Sequence, residues 1–133
     1  MTPSSGATDG AGGRPDPVLA EALDRLRALC LALPEATERL SHGEPTWFAR
    51  KVFVSFAGRH HDDRLACWCA AGAEERDALV AEDPDRFFVP PYVGGRGWLG
   101  VYLDVPGVDW VELNEIVREA YRLVAPKRLA ALL

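Results

Sequence analysis

With 133 residues, 48% of them hydrophobic and 26% charged, the chain has the makeup of a single globular domain that can bury a core without staples. Its net charge of −5 argues against an indiscriminate grip on nucleic acid, which runs on phosphate neutralisation. No apolar run is long enough to span a bilayer, and an odd count of three cysteines does not make a secreted disulfide framework.

The opening stretch MTPSSGATDGAGGRPD is rich in Gly, Ser, Thr and Pro and reads as a disordered leader over residues 1–15, followed by one domain over 16–133. It has neither the apolar core of a signal peptide nor an amphipathic arginine pattern. The first helix is expected from Asp16-Pro17, with Asp as N-cap and Pro at the first helical position. Leu19, Leu23, Leu26, Cys30 and Leu33 repeat at helical spacing, and Pro34 stops the pattern.

Strands are expected next, over Thr37–Ser41, Thr46–Ala49, Lys51–Ala57 and Arg64–Ala70, with a polar loop at Gly58–Asp63. Short polar links favour antiparallel hairpins. A second helix covers Gly72–Glu82 and ends at Asp83-Pro84. Phe87–Val89 is extended, Pro90–Gly97 is a loop, and Trp98–Leu103 is the last strong strand. Asp109 and Glu112 stand in capping-box spacing ahead of a third helix, whose buried face is Leu113, Ile116, Val117, Ala120, Tyr121 and Val124. Pro126 opens a short final helix. This order implies a two-layer α+β domain, an antiparallel sheet with helices on one face and its other face left to water or a partner.

Strand alternation sorts the side chains. Leu99, Val101 and Leu103 share one side, as do Leu65, Cys67 and Cys69; these suit the core. Trp98, Gly100 and Tyr102 share the other side, as do Arg64, Ala66 and Trp68. Trp68, Trp98 and Tyr102 therefore form an aromatic set on the open face, with Trp47 and Phe53 as further candidates. Such rings stack on nucleobases or planar small molecules at ~1–3 kcal/mol per base. They serve equally as cross-strand ladders or as a homodimer seam, and a one-residue bulge would reverse the sorting.

Three segments carry a family resemblance: LALPEATERLSHGEPTWFARKVFVSFAG (31–58), DPDRFFVPPYVGGRGWLGVYLD (83–104) and AYRLVAPKRLAALL (120–133). Together they resemble the MmcQ/YjbR family of small bacterial α/β proteins, which implies a YjbR-like, CyaY-like sheet-and-helix layout. The family is commonly described as DNA-binding through two hairpin-like wings. On that resemblance the Arg59-His60-His61 loop and the Gly94-Gly95-Arg96-Gly97 loop are the wing candidates. Arg50, Lys51, Arg59, His60, His61, Arg64 and Arg96 then face DNA, beside a stacking set of Trp47, Trp68, Trp98 and Tyr102.

Other chemistry finds little footing. His60-His61-Asp62-Asp63 has no standard ligand spacing, so no metal is expected. The distant frataxin-like look lacks a dense acidic ridge on the first helix. Ser41-His42 and Ser55 offer no nucleophile elbow, and the Gly-Gly-Arg-Gly loop leads into a strand, where it does not cradle phosphate. The expectation is a cytoplasmic, non-catalytic protein with no cofactor and no membrane partner, binding DNA as a monomer or homodimer. A module binding a planar small ligand on the aromatic face, and a homodimeric interaction protein, stand beside it.

Overall fold

A computed structural model describes residues 15–59 and 63–133. The leader and the stretch His60–Asp62 lie outside the described residues. The elements run α1 (Pro17–Leu31), β1 (Thr37–Ser41), β2 (Glu44–Ala49), β3 (Lys51–Gly58), β4 (Leu65–Cys69), α2 (Ala73–Glu82), β5 (Phe87–Phe88), β6 (Leu99–Tyr102), α3 (Trp110–Val124) and α4 (Lys127–Ala130). The six strands form one antiparallel sheet in the order β1-β2-β3-β4-β6-β5. The fold is the expected α+β class.

Local chemistry explains most boundaries. Asp16 caps α1 by accepting the Leu19 N–H at 3.1 Å, with Pro17 in the first turn, and Asp109 caps α3 through the Glu112 N–H at 3.0 Å. β2 begins two residues before the expected Thr46. The reason is the His42-Gly43 turn, where both residues hold positive φ (54° and 81°) as a tight two-residue hairpin requires. That geometry brings Glu44 into register with Ser41.

The core lies between the sheet and α1 and α3. Leu26 and Cys30 of α1, Leu113, Val117 and Tyr121 of α3, and Val54, Cys67, Cys69, Leu99 and Val101 of the sheet are all buried there. The Tyr121 hydroxyl donates to the Pro34 carbonyl at 2.6 Å, so this buried phenol keeps a hydrogen bond where α1 ends. Cys67 and Cys69 stand with sulfurs 3.9 Å apart, and burial holds the Cys30 thiol well above its usual range. All three cysteines are free and buried.

One irregularity reverses part of the sorting. The β2–β3 register shifts between Trp47 and Phe48, so that Trp47 pairs with Val54 but Phe48 with Val52. Phe53 is the extra residue of a bulge, and both it and Val54 turn to the helix side. The Phe53 ring meets Tyr121 edge-on at 5.5 Å. Trp47 is also on the helix side. It has no exposed surface, and its indole N–H donates to Glu38 at 3.0 Å, which Arg27 grips with two further bonds of 2.8 and 2.9 Å. Neither Trp47 nor Phe53 can offer a ring to a visitor.

Candidate functional site

The sheet face away from α1 and α3 holds a cavity of about 600 Å³, whose lining among the described residues includes none from an α-helix. Thr46, Phe48, Val52, Ser55, Ala57 and Trp68 of β2, β3 and β4 make its floor. The register explains why they gather. Thr46 pairs with Ser55, which pairs with Trp68, which pairs with Gly100, so all four point the same way. One wall is the β1–β2 turn, with Ser41, His42 and Glu44. The other is the chain before β6, with Tyr92, Val93, Arg96 and Trp98.

That second wall is pinned by a glycine. Gly97 sits at φ 92°, and a Cβ there would lie 3.0 Å from the Ala71 carbonyl oxygen and 3.1 Å from the Ala73 nitrogen. Only a residue without a side chain lets the loop press so closely on the link between β4 and α2. The loop carries a single 3₁₀ turn, Gly94–Arg96, and then delivers Trp98 to the cavity edge, where the indole is buried with the hydrophobic core. Tyr92 also holds positive φ (66°) and is 83% exposed, which places an amphipathic ring at the mouth.

The predicted residues divide unevenly around this site. Trp68, Trp98 and Arg96 line the cavity. Tyr102 shares the face but is already used: it stacks on Phe88 at 4.5 Å, with the Arg64 guanidinium 3.7 Å from its ring centre. Arg64 in turn makes two 2.9 Å hydrogen bonds to Asp104. Burial pushes the Asp104 carboxyl up, but Arg64 and the Leu65 N–H outweigh it and hold the group below its ordinary value. Arg59 bonds Asp16 at 3.0 Å and the Asp63 carbonyl at 2.7 Å.

The two wing candidates are anchored apart on the sheet. Gly58 pairs with Leu65 at one end of β4, whereas Leu99 pairs with Cys69 at the other. Arg59 therefore leaves the sheet at one end and the Gly94–Gly97 loop joins it at the opposite end, ~13 Å along a five-residue strand. Arg50 and Lys51, which form and follow the tight β2–β3 turn, share the end where the Gly94–Gly97 loop joins the sheet. Both are exposed, as is Arg96, and these three form no ion pair among the described residues. His60 and His61 lie outside the described residues. No group of His, Cys, Asp or Glu suited to a metal occurs among the described residues. No helix is long and apolar enough to cross a membrane among them.

Thr46, Phe48 and Tyr92 join the site beyond the residues expected from alternation, as does Arg39, whose guanidinium lies 4.1 Å over the Phe48 ring. Phe48 follows from β2 alternation once Trp47 is placed on the helix side, since the two are adjacent and point to opposite faces. Arg39 follows from the hairpin register, since it pairs with Thr46.

The YjbR family model matches residues 31–123. The crystal structure of Deinococcus radiodurans protein DR2400, which carries a DUF419 domain, is similar with a TM-score of 0.63 at 22% identity, covering 77% of each chain. At that identity the likeness speaks for the fold. No curated protein matches the chain.

Proposed function

The chain belongs to the YjbR family, and from that footing we propose that it is a non-catalytic binding protein whose helix-free sheet face holds a planar aromatic small molecule. The observation that carries this reading is the cavity of about 600 Å³ with Trp68 in its floor and Trp98 and Tyr92 in its wall. A concave, mostly apolar site with a few convergent polar groups is how proteins hold small ligands. Ser55 and Arg96 supply those groups.

DNA binding is the second reading. It draws support from exposed Arg50, Lys51 and Arg96, which have no ion-pair partner among the described residues. Against it stand the pairings of Arg59 with Asp16 and of Arg64 with Asp104, and the net charge of −5. Any phosphate contact by those two arginines would first have to displace a carboxylate.

Titration with planar aromatics, followed by tryptophan fluorescence, separates the two. The expected result is quenching that persists as salt rises. Trp68→Ala is expected to weaken binding roughly fivefold to a hundredfold, the equivalent of one lost stacking partner. Circular dichroism checks that the variant keeps its fold. A duplex titration whose affinity falls steeply with salt, at ~0.9 log units per neutralised phosphate for each tenfold rise, would favour DNA instead. Silence across a panel of planar aromatics would remove the ligand reading.

A further inference from the structure

Charge is distributed unevenly around the cavity. Arg96 stands on one wall, exposed and without an ion-pair partner among the described residues. Glu44 stands on the facing wall, where its carboxylate accepts the Gly58 N–H at 2.7 Å. Between them, Ser55 presents a hydroxyl from the floor that makes no hydrogen bond among the described residues. The neighbouring Thr46 is buried and donates its hydroxyl to the Glu44 carbonyl at 3.0 Å, which leaves Ser55 as the donor of the pair.

We infer that the occupant is a planar aromatic anion such as an aryl carboxylate, its ring over Trp68 and its anionic group directed to Arg96. This rests on the reading of the cavity as a ligand site. A guanidinium presents paired N–H donors that match a carboxylate edge to edge, and the ring beside it satisfies the apolar floor. Arg96 sets the direction, because it is exposed on its wall and has no ion-pair partner among the described residues. The Ser55 hydroxyl then donates to the second carboxylate oxygen or to a ring substituent.

Calorimetric titration of the whole chain with 2-naphthoate and with 2-naphthamide tests this. The two share a ring system and differ in charge. The expected result is that naphthoate binds at least about fivefold tighter than the amide to the unaltered protein. Arg96→Gln is expected to bring that ratio to about one, chiefly by weakening naphthoate; Arg96 is exposed, so the variant keeps the fold. Equal binding of the two compounds to the unaltered protein overturns the anionic assignment and leaves the cavity reading standing. So does a preference for naphthoate that survives in Arg96→Gln. If neither compound binds, the cavity reading falls and the anionic assignment falls with it.

Discussion

Gly100→Ala is expected to lower the stability of the fold by about 1–3 kcal/mol, the range for forcing an extra carbon into a filled space. Gly100 lies in β6, paired with Trp68 on one side and Phe88 on the other. A Cβ at this position would lie 2.3, 2.4 and 2.5 Å from three atoms of the Phe88 ring. The ring cannot simply swing aside. It is stacked on Tyr102 at 4.5 Å, and Tyr102 is held from its other neighbour by Arg64, itself bonded to Asp104. The glycine is therefore the space that lets an aromatic–cation column stand on the face. Thermal denaturation of Gly100→Ala, Phe88→Ala and the double variant checks the cause. If the clash is responsible, the double variant loses markedly less than the two single losses combined, because the ring that the new methyl strikes is gone. Additive losses would place the cost elsewhere.

Glu38→Ala is expected to cost about 2–3 kcal/mol, by stranding the donors that converge on one carboxylate. Trp47 is fully buried and its N–H has Glu38 as acceptor at 3.0 Å, while Arg27 contributes two bonds. The figure is set below that of a fully buried ion pair because the Arg27 side chain is 36% exposed and solvent screens part of its charge. Glu38→Gln is expected to lose less, since an amide oxygen still accepts from the indole. The same site gives a pH dependence with a definite sign. The hydrogen bonds from Arg27, then that from Trp47, hold the Glu38 carboxyl below its ordinary value of 4.5 against the opposing effect of burial. A depressed folded-state value means that the unfolded chain takes up the proton first. The stabilisation is therefore complete above about 4.5, the unfolded value, and is lost as pH falls through the lower folded value. Asp104 acts in the same direction from an ordinary value of 3.8. Acid titration of the unaltered chain and of Glu38→Gln, followed by the near-ultraviolet signal of the tryptophans, should show the variant with the shallower loss between pH ~5 and 2. Parallel curves would mean that Glu38 carries none of it.

Much of the fold could be read locally. Asp16-Pro17 and Asp109 act as the caps that their chemistry suggests, and the Leu99, Val101, Cys67 and Cys69 set lies under the helices as period-two alternation requires. Trp68 reaches the open face by the same rule. The rule failed where the chain departs from strict period. One extra residue in β3 carries Phe53 inward, and pairing of β2 with β1 puts Trp47 over Glu38, so a candidate stacking residue became the centre of a buried polar cluster.

The functional reading of the basic residues changed for a different reason. Arg59 and Arg64 look like free cations beside their chain neighbours, yet their carboxylates come from 43 and 40 residues away. Likewise, only the strand order reveals that the Arg59 turn and the Gly94–Gly97 loop stand at opposite ends of β4.

From the sequence by itself came the family, the α+β class, the caps and the face assignment of most strands, because caps and pleat depend on a few adjacent residues. Tertiary structure alone decided which cations are neutralised, which rings turn to the helix side and that a cavity forms between the β1–β2 turn and the loop before β6. Those outcomes depend on groups brought together across the sheet, and distance along the chain says nothing about which of them will meet.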